Sequence, residues 1–240
     1  MDKNERLVAL WEDRQAIRNL MGRYVRALLH KEEGSVTEAF WSSRDDVALG
    51  LSDGWYLGRE SLKDYYGHFE KVTTLTDEIM KGLFPEKTES GRGFGYLELK
   101  ALSTDVIEVA GDRETAKAMW NSAGQKAVFT AAGPVTYLTY GTFAADLVRE
   151  DGLWKLWHLK YLEEISHPQG EKWWEEAKKR PEMTEFSTLS ALTPRLPDIP
   201  QILFEGYDPQ RELPMLPPLP EKYETFNETF TYGPVGEVWL

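Results

Sequence analysis

Four histidines, His30, His68, His158 and His167, are the side chains of this sequence that titrate near neutral pH unaided. His158 stands in a run that alternates like a strand, so Leu156, His158 and Lys160 share one face. If that face lines a pocket, the imidazole can act as a general base. If it does not, His158 is a hydrogen-bonded structural residue. His30 follows an apolar helical stripe. It can accept a proton beside a pocket mouth, or sit protonated at a helix C-terminus where the dipole favours positive charge. His68, next to Phe69, and His167, before Pro168, read as bystanders. Tyr24 lies on the stripe itself; a buried phenol there needs a partner, and a substrate oxygen can be one. Asn121, after Trp120 in a strand-like run, can bind a hydroxyl or carbonyl, or make an edge contact.

Other chemistries lack their residues. With 0 cysteines there is no disulfide framework, thiolate zinc site or thiol nucleophile. Neither HExxH nor G-x-S-x-G occurs, so the expected metal set is empty. Gly91, Gly93 and Gly95 spell GxGxG, but no strand precedes them and no helix opening follows. A lid beside a pocket suits them better than a phosphate loop. The net charge of −12 works against a nucleic-acid partner. No apolar run approaches the roughly 20 residues that span a bilayer, and the polar, acidic first residues do not read as a secretory signal. These features point to a cytoplasmic protein.

The elements that must position these groups follow from periodicity. Ile17, Leu20, Met21, Tyr24, Val25 and Leu28 recur at steps of three and four, predicting a helix over residues 11–29. Ser35 and Glu38 form a capping-box pattern for a short helix. Val47, Leu49 and Leu51, then Asp53-Gly54 and Trp55 to Leu57, predict a hairpin. A third helix starts at Arg59. Strands are predicted near residues 96–109, 115–129, 135–149 and 153–164, separated by turn-like AGD, AGP and EDG. Helices followed by a long-stranded meander give an α+β domain. A short charged helix is expected at residues 171–179, with Trp173 and Trp174. Nine of the 13 prolines fall in the last 50 residues. Leu203, Phe204, Tyr207, Tyr223, Phe226, Phe230, Tyr232 and Trp239 suit an arm packed on the domain or on a partner better than a solvated tail.

EDRQAIRNLMGRYVRAL, the hairpin, GRESLKDYY, DVIEVAGDRETAKAMW and DGLWKLWHLKY together resemble the nuclear transport factor 2-like superfamily. They resemble most its SnoaL-like or scytalone-dehydratase-like branch, over residues 4–167. The resemblance implies a cone-shaped barrel: a curved, mostly antiparallel sheet wrapped around N-terminal helices, with an apolar pocket in its mouth. It places an α+β domain at residues 1–168 and leaves residues 169–240 as a C-terminal helix and extended proline-rich arm. Dehydratase-type members carry a Tyr followed closely by an Asp at the end of the first helix. Tyr24 matches the Tyr, whereas Leu29 and His30 stand near the Asp position. Where members place a His before the strand written here as DVIEV, this chain has LELKALST, with Lys100 as the nearest ionisable side chain.

These readings lead to a cofactor-independent lyase acting on a hydrophobic, aromatic-type hydroxylated small molecule. The reaction is loss of water or retro-aldol-type carbon–carbon cleavage. His158 or His30 would remove a proton, while Tyr24 and Lys100 would polarise or protonate a leaving oxygen. Trp41, Trp55, Tyr56, Tyr66, Trp120, Asn121 and Tyr140 are the expected substrate-binding residues, because aromatic side chains line such pockets as well as cores. A non-catalytic ligand-binding or dimerisation module, and an isomerase or polyketide cyclase, are the alternatives. A homodimer or higher homo-oligomer is expected. Members of this fold do unrelated work, so the site must decide.

Overall fold

The computed structural model describes residues 2–30, 36–83, 85, 97–130, 133–170, 195–201, 203–204, 206–212 and 217–234. The GxGxG loop, the helix expected at residues 171–179 and Trp239 lie outside them. The first helix, α1 (Lys3–His30), begins well before the apolar stripe. Its start is a reciprocal cap: Asp2 Oδ1 accepts from the Glu5 backbone N–H at 2.8 Å, and Glu5 Oε2 accepts from the Asp2 N–H at 2.8 Å. The first turns need no packing partner, and Leu7, Val8 and Trp11 are exposed. From Ile17 onward the stripe is buried with Met21, Tyr24 and Ala27. Two further helices are α2 (Val36–Phe40) and α3 (Gly58–Leu83). Among the described residues no helix is long and apolar enough to cross a membrane.

The strands are β1 (Ala48–Leu51), β2 (Gly54–Leu57), β3 (Leu97–Val109), β4 (Thr115–Thr130), β5 (Gly133–Glu150), β6 (Leu153–Pro168) and the short β7 (Ile199–Pro200). They form one sheet in the order β3-β4-β5-β6-β1-β2-β7, with β3 and β7 as its edges. The sheet is therefore curved but open rather than closed. Neighbours are antiparallel except β1 and β6, which run parallel. The long strands follow the predicted ones closely. The β5–β6 turn is set by Asp151 and Gly152 at φ 51° and 79°, left-handed values that a Gly following Asp accepts readily. Shifts in the β5–β6 register after Tyr140 and after Asp146 mark bulges that bend the sheet.

The sheet's inner face and the helices share one core, in which Trp120, Phe143, Leu159 and Tyr161 meet Ile17, Met21, Leu62 and Tyr66. Asp13 anchors α1 to the strand ends. Its carboxylate accepts from Arg113 Nε at 2.6 Å and from Trp154 Nε1 at 3.2 Å. Arg18 adds an ion pair to Asp105 at 2.7 Å.

Around Lys117 and Asp146 the outer face is covered rather than solvated. Lys117 and Asp146, paired across β4 and β5, are both 0% exposed and bonded at 2.5 Å. Asp146 Oδ2 also accepts from Thr231 Oγ1 at 2.6 Å and the Tyr232 N–H at 2.7 Å, and lies 2.9 Å from His158 Nδ1. The rings of Phe226, Phe230 and Tyr232 surround the Lys117 ammonium at 4.7, 4.5 and 5.0 Å, an aromatic cage. Burial alone would raise the Asp146 carboxyl, but the His158 hydrogen bond and the Lys117 charge outweigh it and hold it below the ordinary range. The C-terminal residues thus cover the sheet by satisfying a charge pair that the strands bury.

Lys160 lies on this same face, 4.9 Å from the Trp55 ring centroid. Burial pulls its ammonium down from 10.5 to about 8, opposed in part by Asp146. The folded protein therefore binds fewer protons than the unfolded chain between about pH 8 and 10.5. Stability should rise with pH across that window, and the cost of the buried charge is complete below it. Lys160→Met should be more stable than the parent at pH 7, with the gap closing above pH 8. Urea melts at several pH values check this, and a gap independent of pH would contradict it.

Candidate active site

A cavity opens between α1, α3 and the inner face of the sheet. Among the described residues it is lined by Tyr24, Leu28, Leu49, Leu51, Tyr65, Tyr66, Glu98, Lys100, Phe143 and Tyr161. About 40 Å³ of it admits a water-sized centre. That is room for roughly three waters and far less than the roughly 300 Å³ at which drug-sized pockets begin.

One wall is a chain of hydrogen bonds. Trp41 Nε1 donates to Tyr66 Oη at 3.1 Å, and Tyr66 Oη lies 2.9 Å from Tyr24 Oη. Either hydroxyl can donate in the Tyr24–Tyr66 bond; in the arrangement where Tyr66 donates, the Tyr24 O–H is left to donate into the cavity. Burial raises the Tyr24 phenol far above its ordinary value, so it stays protonated and able to donate a hydrogen bond.

The opposite wall is charged. Glu98 and Lys100 stand two residues apart on β3, face the same way and form an ion pair. The local pattern is inverted: Leu99 between them is 42% exposed while the two charges face the cavity. The Lys100 ammonium sits 4.9 Å from the centroid of the Tyr161 ring. The Glu98 charge also contributes to raising the phenols of Tyr24, Tyr65 and Tyr161, behind burial in each case. One carboxylate thus acts electrostatically on three tyrosines around the same space. A carboxylate that can take a proton and a neutral phenol that can give one is the minimal acid/base pair.

Of the residues singled out in the sequence, Tyr24, Tyr66 and Lys100 line this cavity. Trp41 stands behind it, bonded to Tyr66. Tyr56 is buried with its ring 4.7 Å from that of Tyr65, and its hydroxyl donates to Arg195 O at 3.1 Å. Trp120 packs in the core rather than on the cavity. Trp55 is on the outer face, against Lys160. Asn121 donates from Nδ2 to Thr104 Oγ1 at 2.7 Å, and Tyr140 is half-buried on β5; neither lines the cavity. The side chain of His30 lies outside the described residues. His158 shares a face with Lys160, as the alternation indicates, but not with Leu156, which the bulge at Trp157 turns into the core; the face of His158 and Lys160 is the outer one. The inner positions of β6 are Leu159 and Tyr161, which leaves His158 bonded to Asp146 under the C-terminal residues.

Glu98 and Tyr161 were not singled out by sequence. The available signal for Glu98 was its spacing from Lys100. His167 donates from Nδ1 to Pro168 O at 2.9 Å, and His68 is half-buried on α3. Among the described residues no three His, Asp or Glu side chains converge as metal ligands.

The SnoaL-like domain matches residues 10–160. No curated protein matches the sequence. Solved structures with a similar chain path include a function-unknown protein from Mycobacterium tuberculosis. It is 16% identical with a TM-score of 0.46, over 78% of this chain and 86% of that one. Another is the hexachlorocyclohexane dehydrochlorinase LinA-type3 from Novosphingobium barchaimii. It is 16% identical with a TM-score of 0.48, over 71% of this chain and 97% of that one.

Proposed function

Since the chain belongs to the SnoaL-like domain family, whose match spans residues 10–160, we propose that it is a lyase acting by general acid/base elimination. Its substrate is a small hydroxylated aromatic molecule, and no cofactor takes part. The observation that carries this reading is the convergence of Glu98 with Lys100, and of Tyr24 with Tyr66 and Trp41, on one cavity. In the reaction, the Glu98 carboxylate takes a proton from carbon. The electron pair forms the new double bond and the neighbouring carbon–oxygen bond breaks. The Tyr24 O–H gives its proton to the departing oxygen, which leaves as water. The same groups serve a retro-aldol cleavage. The base takes the β-hydroxyl proton, and that oxygen becomes a carbonyl as the carbon–carbon bond breaks. The electron pair passes to the enolate of the other fragment, which Tyr24 protonates. Lys100 fixes the Glu98 carboxylate beside the cavity. His158, one of the two bases that the sequence offers beside His30, has in this reading a structural role on the outer face, bonded to Asp146.

The test is incubation of the purified protein, without added cofactor, with β-hydroxy aryl ketones and phenolic secondary alcohols. Products are followed by mass, with loss of water separated from loss of a carbonyl fragment. Tyr24→Phe removes one oxygen and should slow turnover by roughly tenfold to a hundredfold. Turnover unchanged in Tyr24→Phe would remove Tyr24 from the mechanism. A homodimer remains the expected assembly, and sedimentation of the full chain measures it.

A further inference from the structure

The Tyr161 hydroxyl is buried with no hydrogen-bond partner, although its side chain lines the cavity and the residue is only 7% exposed. The ring is held rigidly. It packs on Phe143 with centroids 4.5 Å apart and carries the Lys100 ammonium on its face. It also lies flat over Gly141, where an added Cβ would stand 3.0 Å from the ring and closer still to Leu162 O. A side chain at 141 would push the ring off the sheet; glycine lets the phenol run along the inner face. Thr139 is close enough to the hydroxyl to lower its phenol slightly against the burial, but no hydrogen bond of normal geometry joins the two. Ser122, paired with Gly141 across β4 and β5, is a second buried hydroxyl with no partner on the inner face. Burial first, and Glu163 and Glu98 next, raise the Tyr161 phenol, so it stays a neutral donor.

A buried hydroxyl without a partner costs stability unless something else supplies the bond. Elsewhere along this cavity the polar groups are matched: Tyr24 to Tyr66, Tyr66 to Trp41, and Lys100 to Glu98. We infer that Tyr161 is a specificity residue whose missing partner is a ligand oxygen, so that the cavity selects molecules with two oxygen functions, one met by Tyr24 and one by Tyr161. This rests on the reading of the cavity as a substrate site and narrows the substrate class. A hydroxylated ring with a second phenol or carbonyl oxygen satisfies both ends, whereas a mono-oxygenated ring leaves Tyr161 unpaired.

Calorimetric binding of two inert probes tests this. Para-hydroxyacetophenone carries two oxygens and acetophenone carries one. Neither carries a hydroxyl that can leave, so elimination has no bond to break. Tyr161→Phe deletes one oxygen. It should weaken para-hydroxyacetophenone about fivefold to tenfold and leave acetophenone unchanged. Its melting temperature without ligand should equal or exceed the parent's, because an unpaired buried hydroxyl has been removed. A fall of about 3 °C or more would overturn the proposal by showing the hydroxyl already partnered. Equal weakening of both probes, or of neither, would also overturn it. If Tyr24→Phe weakens binding while Tyr161→Phe does not, this proposal fails and the site reading survives. If neither probe binds the parent protein, the site reading fails and takes this proposal with it.

Discussion

Asp146→Ala is expected to lower stability by about 3–5 kcal/mol, the largest single effect of any substitution considered for this chain. The size comes from what remains, not from what is lost. Lys117 keeps its position at 0% exposure, with three rings around it and no carboxylate. Thr231 Oγ1, the Tyr232 N–H and His158 Nδ1 lose a shared acceptor at the same time. The double variant Asp146→Leu with Lys117→Met should recover most of the loss, because well-packed apolar residues often replace a buried pair at little cost. Equilibrium urea unfolding of the parent, the single and the double variant measures this. A single variant within about 1 kcal/mol of the parent would mean that the pair does not hold the C-terminal residues to the sheet.

Glu98→Gln is expected to lower kcat by roughly 10²–10⁴-fold, with little change in the melting temperature. The amide keeps the size and some of the hydrogen bonding of the carboxylate but cannot take the proton. Lys100 loses an ion pair that is only partly shielded, with side chains 14% and 22% exposed, so the structural cost is small beside that of Asp146. KM should change less than kcat, because in the proposed reaction the carboxylate acts as the bond breaks rather than in holding the ring. Steady-state kinetics on whichever ketone or alcohol turns over, read beside thermal melts, separates this outcome from unfolding. A variant that keeps its kcat would dismiss Glu98 as the base.

The fold was legible because its signals are local. Alternation and turn residues place β4, β5 and β6 to within a few residues, and Asp151-Gly152 sits at the tip of its hairpin with both residues at positive φ. The start of α1 and the short edge strand β7 were missed. The stripe of α1 begins late, and the Asp2–Glu5 cap opens the helix over residues that pack on nothing.

The site was less legible because it depends on faces and on distant contacts. Strand parity puts His158 with Lys160, but parity cannot say which face is inside. The bulge after Asp146 and the return of Thr231 and Tyr232 decide that, across more than 70 positions of sequence. Glu98 was hidden for the opposite reason. A glutamate between two leucines reads as the solvated side of a strand, yet here Leu99 faces solvent and the charge faces the cavity. Tyr24 could be placed on the apolar stripe. That its hydroxyl meets Tyr66, and through it Trp41, required three segments to be brought together.

In the proposed function, one acid/base pair in this cavity does the chemistry. The most direct measurement is the cofactor-free elimination rate of a single substrate in the parent, Tyr24→Phe, Glu98→Gln and the double variant. If the two groups act as a unit, adding Tyr24→Phe to Glu98→Gln should cost far less than it costs the parent. Rates close to the parent's in all three variants, with folding intact, would place the chemistry elsewhere and contradict the account.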